Sequence, residues 1–227
     1  MPMPLFRIRF PAGAAAATPG AAGTFRDTFN RADTASGHDL LGVSSDGTKT
    51  WLVPDQQTTY SPGLEFGWAI RSNAATLTTL AGGLTVAYVT GLGANGRAKI
   101  TVKTPSANAP FYVLGRYADH DNHVGFLVDV TGISSQHLLL YKRVAASTTN
   151  LLDLSLDFVN YQAGDTLELE ITSGDVARIY WNGVQQGADQ SLGAGVLAGN
   201  LAWGMAVNYN SLGDWDGALE QYDWTAG

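Results

Sequence analysis

The sequence contains no cysteine, which excludes disulfide bonds, thiolate metal sites and thiol catalysis. It also lacks any run of about 18 apolar residues, the length that a membrane-spanning helix requires. Basic residues are few, since 13 Lys and Arg stand against 20 Asp and Glu and the net charge is −7. This balance argues against nucleic acid or an anionic membrane as a partner, because both are bound by basic patches.

Familiar catalytic motifs are missing as well. The chain has no G-x-S-x-G elbow, no P-loop and no H-E-x-x-H pair. One formal match to G-x-G-x-x-G runs from Gly91 to Gly96, but the dinucleotide-binding motif requires a helix to begin inside it. Residues 97–103 alternate as a strand instead. We therefore interpret the glycines as a hairpin loop with Asn95-Gly96 at its tip, and not as a nucleotide site.

Glycine is abundant, with 27 residues, and threonine, aromatic and β-branched residues are frequent. This composition is typical of short strands joined by turns, and no stretch has the pattern of an amphipathic helix of ordinary length. At 227 residues the chain is long enough to fold as one large β-sandwich without disulfides.

The clearest pattern lies in residues 164–186. Aliphatic and polar residues alternate up to a tight turn at residues 173–175, which predicts two strands that share one buried face. The register set by this turn gives three inward-facing pairs: Leu167 with Trp181, Leu169 with Ile179 and Ile171 with Ala177. Asn182-Gly183 follows directly and is the strongest short-range signal for a further hairpin.

Glu168 and Glu170 lie on the outer face of the first of these strands. Two carboxylates on one face have the makings of a glycosidase pair, whose carboxyl groups are ~5 Å apart in retaining enzymes. The predicted register places Arg178 opposite Glu170 and Tyr180 opposite Glu168, as neighbours on a solvated face would be. We therefore expect no catalytic residue here, and hydrolysis by these two acids is the alternative.

Residues 111–130 form a second predicted hairpin, with its tip at His120-Asp121. One face pairs Tyr117 with Val124, Gly115 with Phe126, Val113 with Val128 and Phe111 with Val130, and the other pairs Arg116 with Gly125, Leu114 with Leu127 and Tyr112 with Asp129. The second face is mixed where a polar one is expected. It is predicted to line a concave groove, with Tyr112 as a stacking platform and Arg116 and Asp129 as hydrogen-bonding groups for a glycan or peptide. A central strand packed under loops is the alternative.

Two turns carry further candidate groups. Trp215, in the turn at residues 213–217, is the tryptophan that we expect to be exposed and available for ligand stacking, whereas most of the others are expected in the core. Residues 119–123 gather Asp, His and Asn side chains that can bind metals, but an exposed polar turn explains them equally well. We predict no metal site.

Residues 1–23 are predicted to lie outside the folded domain, which spans residues 24–227. The arm alternates apolar and basic side chains: Phe6, Arg7, Ile8, Arg9 and Phe10. Such a segment can lie extended with one apolar side, and residues 12–23 have the composition of a tether. A basic apolar arm on an acidic body is suited to assembly by strand addition to a neighbouring subunit. A disordered leader is the alternative.

The stretch Asp165-Thr166-Leu167 through Ile179-Tyr180-Trp181-Asn182-Gly183 resembles the signature of laminin-G-like, concanavalin A-type jelly rolls. The opening, Asp27-Thr28-Phe29-Asn30-Arg31-Ala32-Asp33, together with residues 45–51 and 67–73, resembles the version appended to minor tail proteins of tailed bacteriophages. The resemblance covers about residues 24–225. It implies an all-β, two-sheet antiparallel jelly-roll sandwich with an extended N-terminal arm.

The resemblance also implies a function. We expect a non-enzymatic virion structural protein, a tail or tail-tip module that is anchored by its arm, lies on the particle surface outside the cell and binds host-surface glycan. Its partners would be other virion proteins in a homo-oligomer or larger assembly, without nucleic acid or membrane insertion. A ligand-free capsid or tail decoration protein and a secreted glycan-active enzyme are the alternatives.

Catalysis is not carried over from the glucanase branch of this fold, whose E-x-D-x-x-E strand has no counterpart here. Glu168-Leu169-Glu170 lacks both the central Asp and the third acid. We expect no cofactor. Structural calcium occurs in the superfamily, but its ligands cannot be mapped onto residues of this chain.

Overall fold

The computed structural model describes residues 23–33, 41–53, 68–77, 83–105, 110–129, 136–156, 162–209 and 217–227. The regular elements within these ranges are β-strands. None of the described segments is a helix with the length and apolarity needed to cross a membrane. The strands are β1 Thr24–Asp27, β2 Trp68–Ile70, β3 Ala75–Leu77, β4 Gly83–Val89, β5 Gly96–Thr104, β6 Phe111–Asp119, β7 Asn122–Asp129, β8 Gln136–Val144, β9 Ser147–Leu156, β10 Thr166–Ile171, β11 Val176–Trp181, β12 Val184–Ser191, β13 Ala202–Tyr209 and β14 Ala218–Ala226.

The strands form two antiparallel sheets packed face to face. One has the order β12-β11-β10-β5-β14-β3-β2, with β1 also paired to β14, and the other has the order β4-β13-β6-β7-β8-β9. Strands β4 and β5 are adjacent in sequence but belong to different sheets, as do β13 and β14. These crossings confirm the predicted two-sheet jelly-roll sandwich.

Large aromatic side chains fill the space between the sheets. Five tryptophans lie within the described ranges and all are buried, as expected for most of them: Trp51, Trp68, Trp181, Trp203 and Trp224. Trp51 contacts Phe25 edge-on with ring centroids 5.8 Å apart, and Tyr222 with centroids 5.2 Å apart. The core therefore joins β1 and β14 to the segment that carries Trp51.

The hairpin of β10 and β11 has the predicted register. The pairs are Leu167 with Trp181, Glu168 with Tyr180, Leu169 with Ile179, Glu170 with Arg178 and Ile171 with Ala177. The three aliphatic residues of β10 are fully buried. Asn182 and Gly183 both have positive φ, 50° and 76°, as a type I′ turn requires, and β12 follows.

The hairpin of β6 and β7 differs from its predicted register. Tyr112 pairs with Leu127 and not with Asp129, and Leu114 pairs with Gly125 and not with Leu127. The cause is a bulge between Gly115 and Asp119, since three residues of β6 stand opposite one residue of β7 there. Arg116, inside the bulge, has a φ of 46°, which an L-residue seldom adopts.

The interpretation of residues 91–96 was right in one respect and wrong in another. A strand begins at Gly96, so the motif lacks the helix that a nucleotide site needs. The segment is not a hairpin loop, however, because β4 pairs with β13 in one sheet and β5 pairs with β10 and β14 in the other. It is the crossing between the two sheets.

The first strand, β1, begins at Thr24. Gly23 is already tied to the sheet, because its carbonyl accepts a hydrogen bond from the amide of Ala226 at 2.7 Å. The assembly residues Phe6, Arg7, Ile8, Arg9 and Phe10 lie outside the described residues, so the arm stays a prediction.

Candidate ligand cleft on the six-stranded sheet

The outer face of the six-stranded sheet is apolar and aromatic. Strand alternation turns every second side chain away from the main core, and on this sheet those residues form a second cluster of buried side chains: Val86, Tyr112, Leu114, Tyr117, Leu127, Tyr141, Ala202 and Ala206. Tyr88 and Leu139 pack against it. We call these residues the aromatic face. A sheet face that only met water would be mainly polar, whereas Leu114 and Ala206 on this face are fully buried.

A cleft of about 220 Å³ opens on the aromatic face above β6 to β9. Its lining residues are Tyr112, His120, His123, Leu127, Leu139, Tyr141, Arg143 and Thr148. Aromatic and aliphatic side chains form its floor, whereas an arginine, two histidines and a threonine supply polar groups. This mixture is typical of small-molecule sites, in which apolar area provides contact and a few polar groups fix orientation.

Tyr141 lies flat in the cleft because residue 125 is a glycine. Gly125 is the cross-strand partner of Tyr141, and a Cβ on Gly125 would overlap the tyrosine ring. The ring therefore occupies the space that any other side chain at position 125 would fill. Gly125 is thus a positioning residue for Tyr141.

His123 fixes the direction of the Tyr141 hydroxyl. The Nδ1 atom of His123 lies 3.2 Å from the backbone oxygen of Asp119, and Nε2 lies 3.1 Å from the hydroxyl of Tyr141. Since a carbonyl can only accept, Nδ1 carries the proton in the neutral ring and Nε2 accepts from the tyrosine O–H. The lone pairs of that hydroxyl remain available to accept a hydrogen bond from a ligand.

Burial keeps both members of this pair uncharged at neutral pH. Removal from water lowers the pKa of His123 from 6.5 to about 4, and it raises the pKa of Tyr141 above its ordinary value. In both cases loss of hydration of the charged form is the largest cause. The cleft therefore presents neutral hydrogen-bonding groups here.

Arg143 forms the charged rim of the cleft. Its Nη2 atom lies 3.0 Å from Oδ1 of Asp121 and its Nη1 atom lies 3.3 Å from Oγ1 of Thr148. The side chain is 27% exposed, so the guanidinium is held in place while part of it still meets solvent. It can donate to a ligand hydroxyl or carboxylate in the cleft.

The structure places the predicted ligand residues in different environments. Tyr112 lines the cleft and is only 7% exposed. Arg116 does not share its face, because the bulge turns the guanidinium toward Asp175, whose Oδ1 lies 2.7 Å away. Asp129 stands opposite His137 on β8 and not opposite Tyr112. Trp215 lies outside the described residues.

Several cleft residues were missed at the sequence level, although a signal for them existed. Residues 137–143 have the composition of a strand, whose alternation puts Leu139, Tyr141 and Arg143 on one face. What the sequence does not state is that β8 pairs with β7, which brings this face beside His123 and Leu127. The partner of a strand is decided by contacts far apart in the chain.

Glu168 and Glu170 lie on the other sheet, on its outer face, and each is bound to a cation. Arg97 donates to Glu168 at 2.7 Å. Glu170 accepts from the hydroxyl of Tyr180 at 2.6 Å and from Arg178 at 3.3 Å, and the prediction of Arg178 beside it is confirmed. Glu168 is more buried than expected, with 7% exposure, because Arg97 shields it.

The polar groups of the turn between β6 and β7 form hydrogen bonds with one another. Oδ1 of Asp119 accepts from the amide of Asp121 at 2.8 Å and from the side chain of Asn122 at 2.9 Å. Within the described ranges no group of three or more His, Cys, Asp or Glu is arranged to hold a metal ion. The polar turn is explained by its internal hydrogen bonds.

We expect stability to depend on the protonation of His123. The folded pKa is lowered, so the stabilisation is complete above the unfolded value of 6.5 and is lost as the pH falls through about 4. The free energy of unfolding should decrease by roughly 3 kcal/mol over this window. Urea unfolding of the wild type and of His123→Gln at about pH 7.5 and about pH 4 measures the difference. Carboxylates titrate in both proteins, so an equal pH dependence would contradict this assignment.

No family model matches the sequence, and no curated protein matches it. Solved structures do match in three dimensions. LamAcat from Zobellia galactanivorans is 9% identical with a TM-score of 0.55, over 95% of this chain and 100% of that chain. The carbohydrate binding module CBM66 from Bacillus subtilis is 12% identical with a TM-score of 0.51, over 75% of this chain and 91% of that chain.

A glycoside hydrolase family 16 endo-glucanase from Bacteroides ovatus is also similar, at 10% identity and a TM-score of 0.51, over 88% of this chain and 99% of that chain. At such low identity the likeness concerns the fold and not the activity. With the strand order described above, it establishes that this chain has the concanavalin A-like jelly-roll fold predicted from its sequence.

Proposed function

We propose that this chain is a non-enzymatic carbohydrate-binding module whose ligand site is the cleft on the aromatic face. The observation that carries the proposal is the cleft itself, a small concave site lined by Tyr112, Tyr141, His123 and Arg143. Sugar rings have apolar C–H faces that stack on aromatic side chains and hydroxyls that need oriented partners. The partly buried Tyr88 packs beside this site against the buried Tyr117, with ring centroids 5.0 Å apart.

The absence of catalysis is part of the proposal, and the position of the acids supports it. The described residues that line the cleft include no carboxylate, whereas a glycosidase needs two flanking its substrate. Glu168 and Glu170 lie on the other sheet and are engaged by Arg97, Arg178 and Tyr180. The similar structures include both a sugar-binding and a sugar-cleaving protein. The choice between binding and catalysis for this chain therefore rests on the residues of its own site.

We further propose that the module belongs to a virion and is held in the particle by its N-terminal arm. The support is the resemblance of the opening residues 27–33 to minor tail proteins together with the arm's basic, apolar character. The module then displays the cleft outward, toward glycan on the host surface. Deletion of residues 2–20 should leave a folded protein that no longer joins the particle, and normal incorporation would contradict the anchoring role.

Glycan-array binding of the full chain tests the ligand site. We expect the affinity for a bound glycan to fall about tenfold or more in Tyr141→Ala, because a stacking ring and a positioned hydroxyl are both lost. Gly125→Ala should have a similar effect, since it displaces the same ring without deleting a side chain. Tyr180→Ala, on the outer face of the other sheet, is the matched control and should bind normally.

Each outcome of the array bears on one interpretation. Binding that survives Tyr141→Ala and Gly125→Ala would remove the cleft as the ligand site. Silence across a broad array that includes host-envelope sugars would favour a decoration protein without a ligand. That second candidate is favoured by one observation, the near-complete burial of Tyr112 and Leu114, which a purely structural second core would also produce.

A further inference from the structure

Charged side chains on the outer face of the eight-stranded sheet alternate in sign from strand to strand. Strands β1, β5 and β11 contribute basic residues, and β14, β10 and β12 contribute acidic ones. In spatial order these are Arg26, then Asp223, then Lys99 and Arg97, then Glu168 and Glu170, then Arg178 and finally Asp189. We call this set the charge ladder. It crosses six neighbouring strands and has an acidic residue on its last strand, β12.

Ion pairs connect every step of the ladder. The five steps are Arg26–Asp223 at 2.6 Å, Lys99–Asp223 at 3.1 Å, Arg97–Glu168 at 2.7 Å, Arg178–Glu170 at 3.3 Å and Arg178–Asp189 at 2.8 Å. The guanidinium of Arg97 also lies over the ring of Tyr180, 3.8 Å from its centroid. Each strand is thus placed beside strands of opposite charge, as favourable cross-strand pairs are. A further strand beyond β12 would continue the pattern if it were basic.

Strand β12 is an open edge of the sheet. Among the described residues its ladder partner is β11 alone, and its side chains are mostly exposed. It is eight residues long and contains no Lys, Arg or Pro, which are the residues that usually block edge-to-edge pairing. A bulge opposite Arg178 interrupts its register, but residues 184–186 pair regularly. Such an edge has unpaired backbone groups for an added strand.

The inward side of this edge is mixed and incompletely covered, since Gln186 and Gln190 share it with Val184. Val184 is 63% exposed, although its pairing with Trp181 puts it on the core side of β12. The neighbouring edge of the other sheet carries the half-buried Leu151, Leu152 and Leu154, and Leu152 lies against Gly187. An added strand with apolar side chains facing inward would cover these groups.

We propose that residues 6–10 of one copy add as an antiparallel or parallel strand to β12 of another copy. With Arg7 and Arg9 on the outer face, the arm supplies the basic strand that follows Asp189 in the charge ladder. Period-2 alternation then turns Phe6, Ile8 and Phe10 inward, toward Val184 and the exposed side of the core. The basic face of the segment thus complements Asp189, and its apolar face complements Val184 and the half-buried leucines of β9.

A neighbouring copy is the better source of the arm than the same chain. Strand β1 stands five strands from β12 in the sheet, a separation of about 24 Å at ~4.8 Å per strand. Residues 11–22 could reach that far when extended. To do so they would have to cross the charge ladder, whose side chains are already bonded to one another. An arm from another copy approaches the edge directly.

The absence of cysteine makes the contact straightforward to test. We would introduce Ile8→Cys in one preparation of the full chain and Val184→Cys in another, mix them and add a short thiol-specific cross-linker. The proposal predicts a cross-linked product that joins the two chains. Val43→Cys, at a site with 53% exposure on another part of the surface, is the matched control for Val184→Cys. Arg7→Glu/Arg9→Glu added to the Ile8→Cys chain should lower the yield about tenfold, because like charges then face Asp189.

The outcomes separate this inference from the proposed function. A yield no greater than that of the Val43→Cys control would overturn docking at β12. Cross-linking only within a chain that carries both Ile8→Cys and Val184→Cys would overturn the second copy as its source. The inference concerns the arm that anchors the module in the proposed function, but it does not depend on glycan binding. Failure of the glycan array would therefore leave the cross-linking result unchanged, and failure of the cross-link would leave the cleft unaffected.

Discussion

Asp27→Ala is expected to lower the free energy of unfolding by about 5 kcal/mol. Asp27 is fully buried and binds the guanidinium of Arg31 through both oxygens, at 2.7 and 3.0 Å. Its Oδ2 atom also accepts from Nε1 of Trp51 at 2.7 Å, and Oδ1 accepts from the amide of Phe29 at 2.8 Å. The amide of Ser45 donates to Oδ1 as well, at 3.2 Å, so alanine would leave a cation and three N–H donors without this partner.

The backbone adds to the expected effect. Phe29 has a φ of 51°, a conformation that a bulky residue holds only when its surroundings fix it. The hydrogen bond from its amide to Asp27 is one such constraint, and the packing of its ring against Trp51, with centroids 5.9 Å apart, is another. Loss of the carboxylate therefore loosens both the turn after β1 and the aromatic core beside it.

Urea unfolding of Asp27→Ala beside Asp189→Ala tests this prediction. Both carboxylate oxygens of Asp189 also accept hydrogen bonds from one guanidinium, that of Arg178. The side chain of Asp189 is 49% exposed, however. Water can replace an exposed partner, so the second substitution should cost far less. Similar midpoints for the two variants would show that burial of Asp27 does not decide its contribution. A change in the urea m value would instead indicate a less compact native or unfolded state.

The β10–β11 hairpin could be predicted from the sequence because all of its determinants are local. Alternation assigned the faces, and the turn at residues 173–175 fixed the register within the hairpin. Asn182-Gly183 has the positive φ values that its residue types permit. The same reasoning placed Arg178 beside Glu170 before the fold was known. The fold class followed from this hairpin and from the composition of the other strands.

The predicted assignment of β6 side chains to faces failed at one residue, Arg116, whose backbone conformation is unusual for its residue type. Alternation through residues 111–117 assigns Arg116 to the face of Tyr112, but a positive φ at an arginine carries no sequence signal. The bulge there turns Tyr117 to the aromatic face in place of Arg116. The predicted cleft lacked Tyr141 for another reason, because Tyr141 reaches the cleft only through the pairing of β7 with β8. Tyr112 was predicted correctly as a residue of this face, because its position depends neither on the bulge nor on the pairing of β7 with β8.

Arg116→Met is expected to lower the free energy of unfolding by about 4 kcal/mol. Arg116 is 1% exposed, and its guanidinium joins three separate segments by hydrogen bonds. The acceptors are the carbonyl of Ala94 at 2.9 Å, Oδ1 of Asn95 at 2.8 Å, the carbonyl of Val196 at 2.7 Å and Oδ1 of Asp175 at 2.7 Å. Methionine fills much of the space but satisfies none of them, and buried acceptors without donors are costly.

The substitution should remove only part of the lowering of the Asp175 pKa. Its pKa is lowered first by the backbone N–H of Gly195, which donates at 2.7 Å, and next by Arg116. The hydrogen bond from the Gly195 amide survives the substitution, so Asp175 keeps one partner. The larger loss therefore comes from the carbonyls of residues 94 and 196, which belong to the crossing between β4 and β5 and to the segment before β13.

Arg143→Met is the matched substitution, and it separates stability from ligand binding. Arg143 lies on the rim of the cleft with 27% of its side chain exposed, so its loss should change stability much less and weaken binding of any glycan that the array identifies. Arg116→Met should do the reverse, with affinity per folded molecule unchanged, because its guanidinium is bound to protein groups away from the aromatic face. If Arg116→Met instead abolished binding at wild-type stability, the ligand role first assigned to Arg116 from the sequence would stand. Unfolding curves and binding curves on the same two preparations decide between these outcomes.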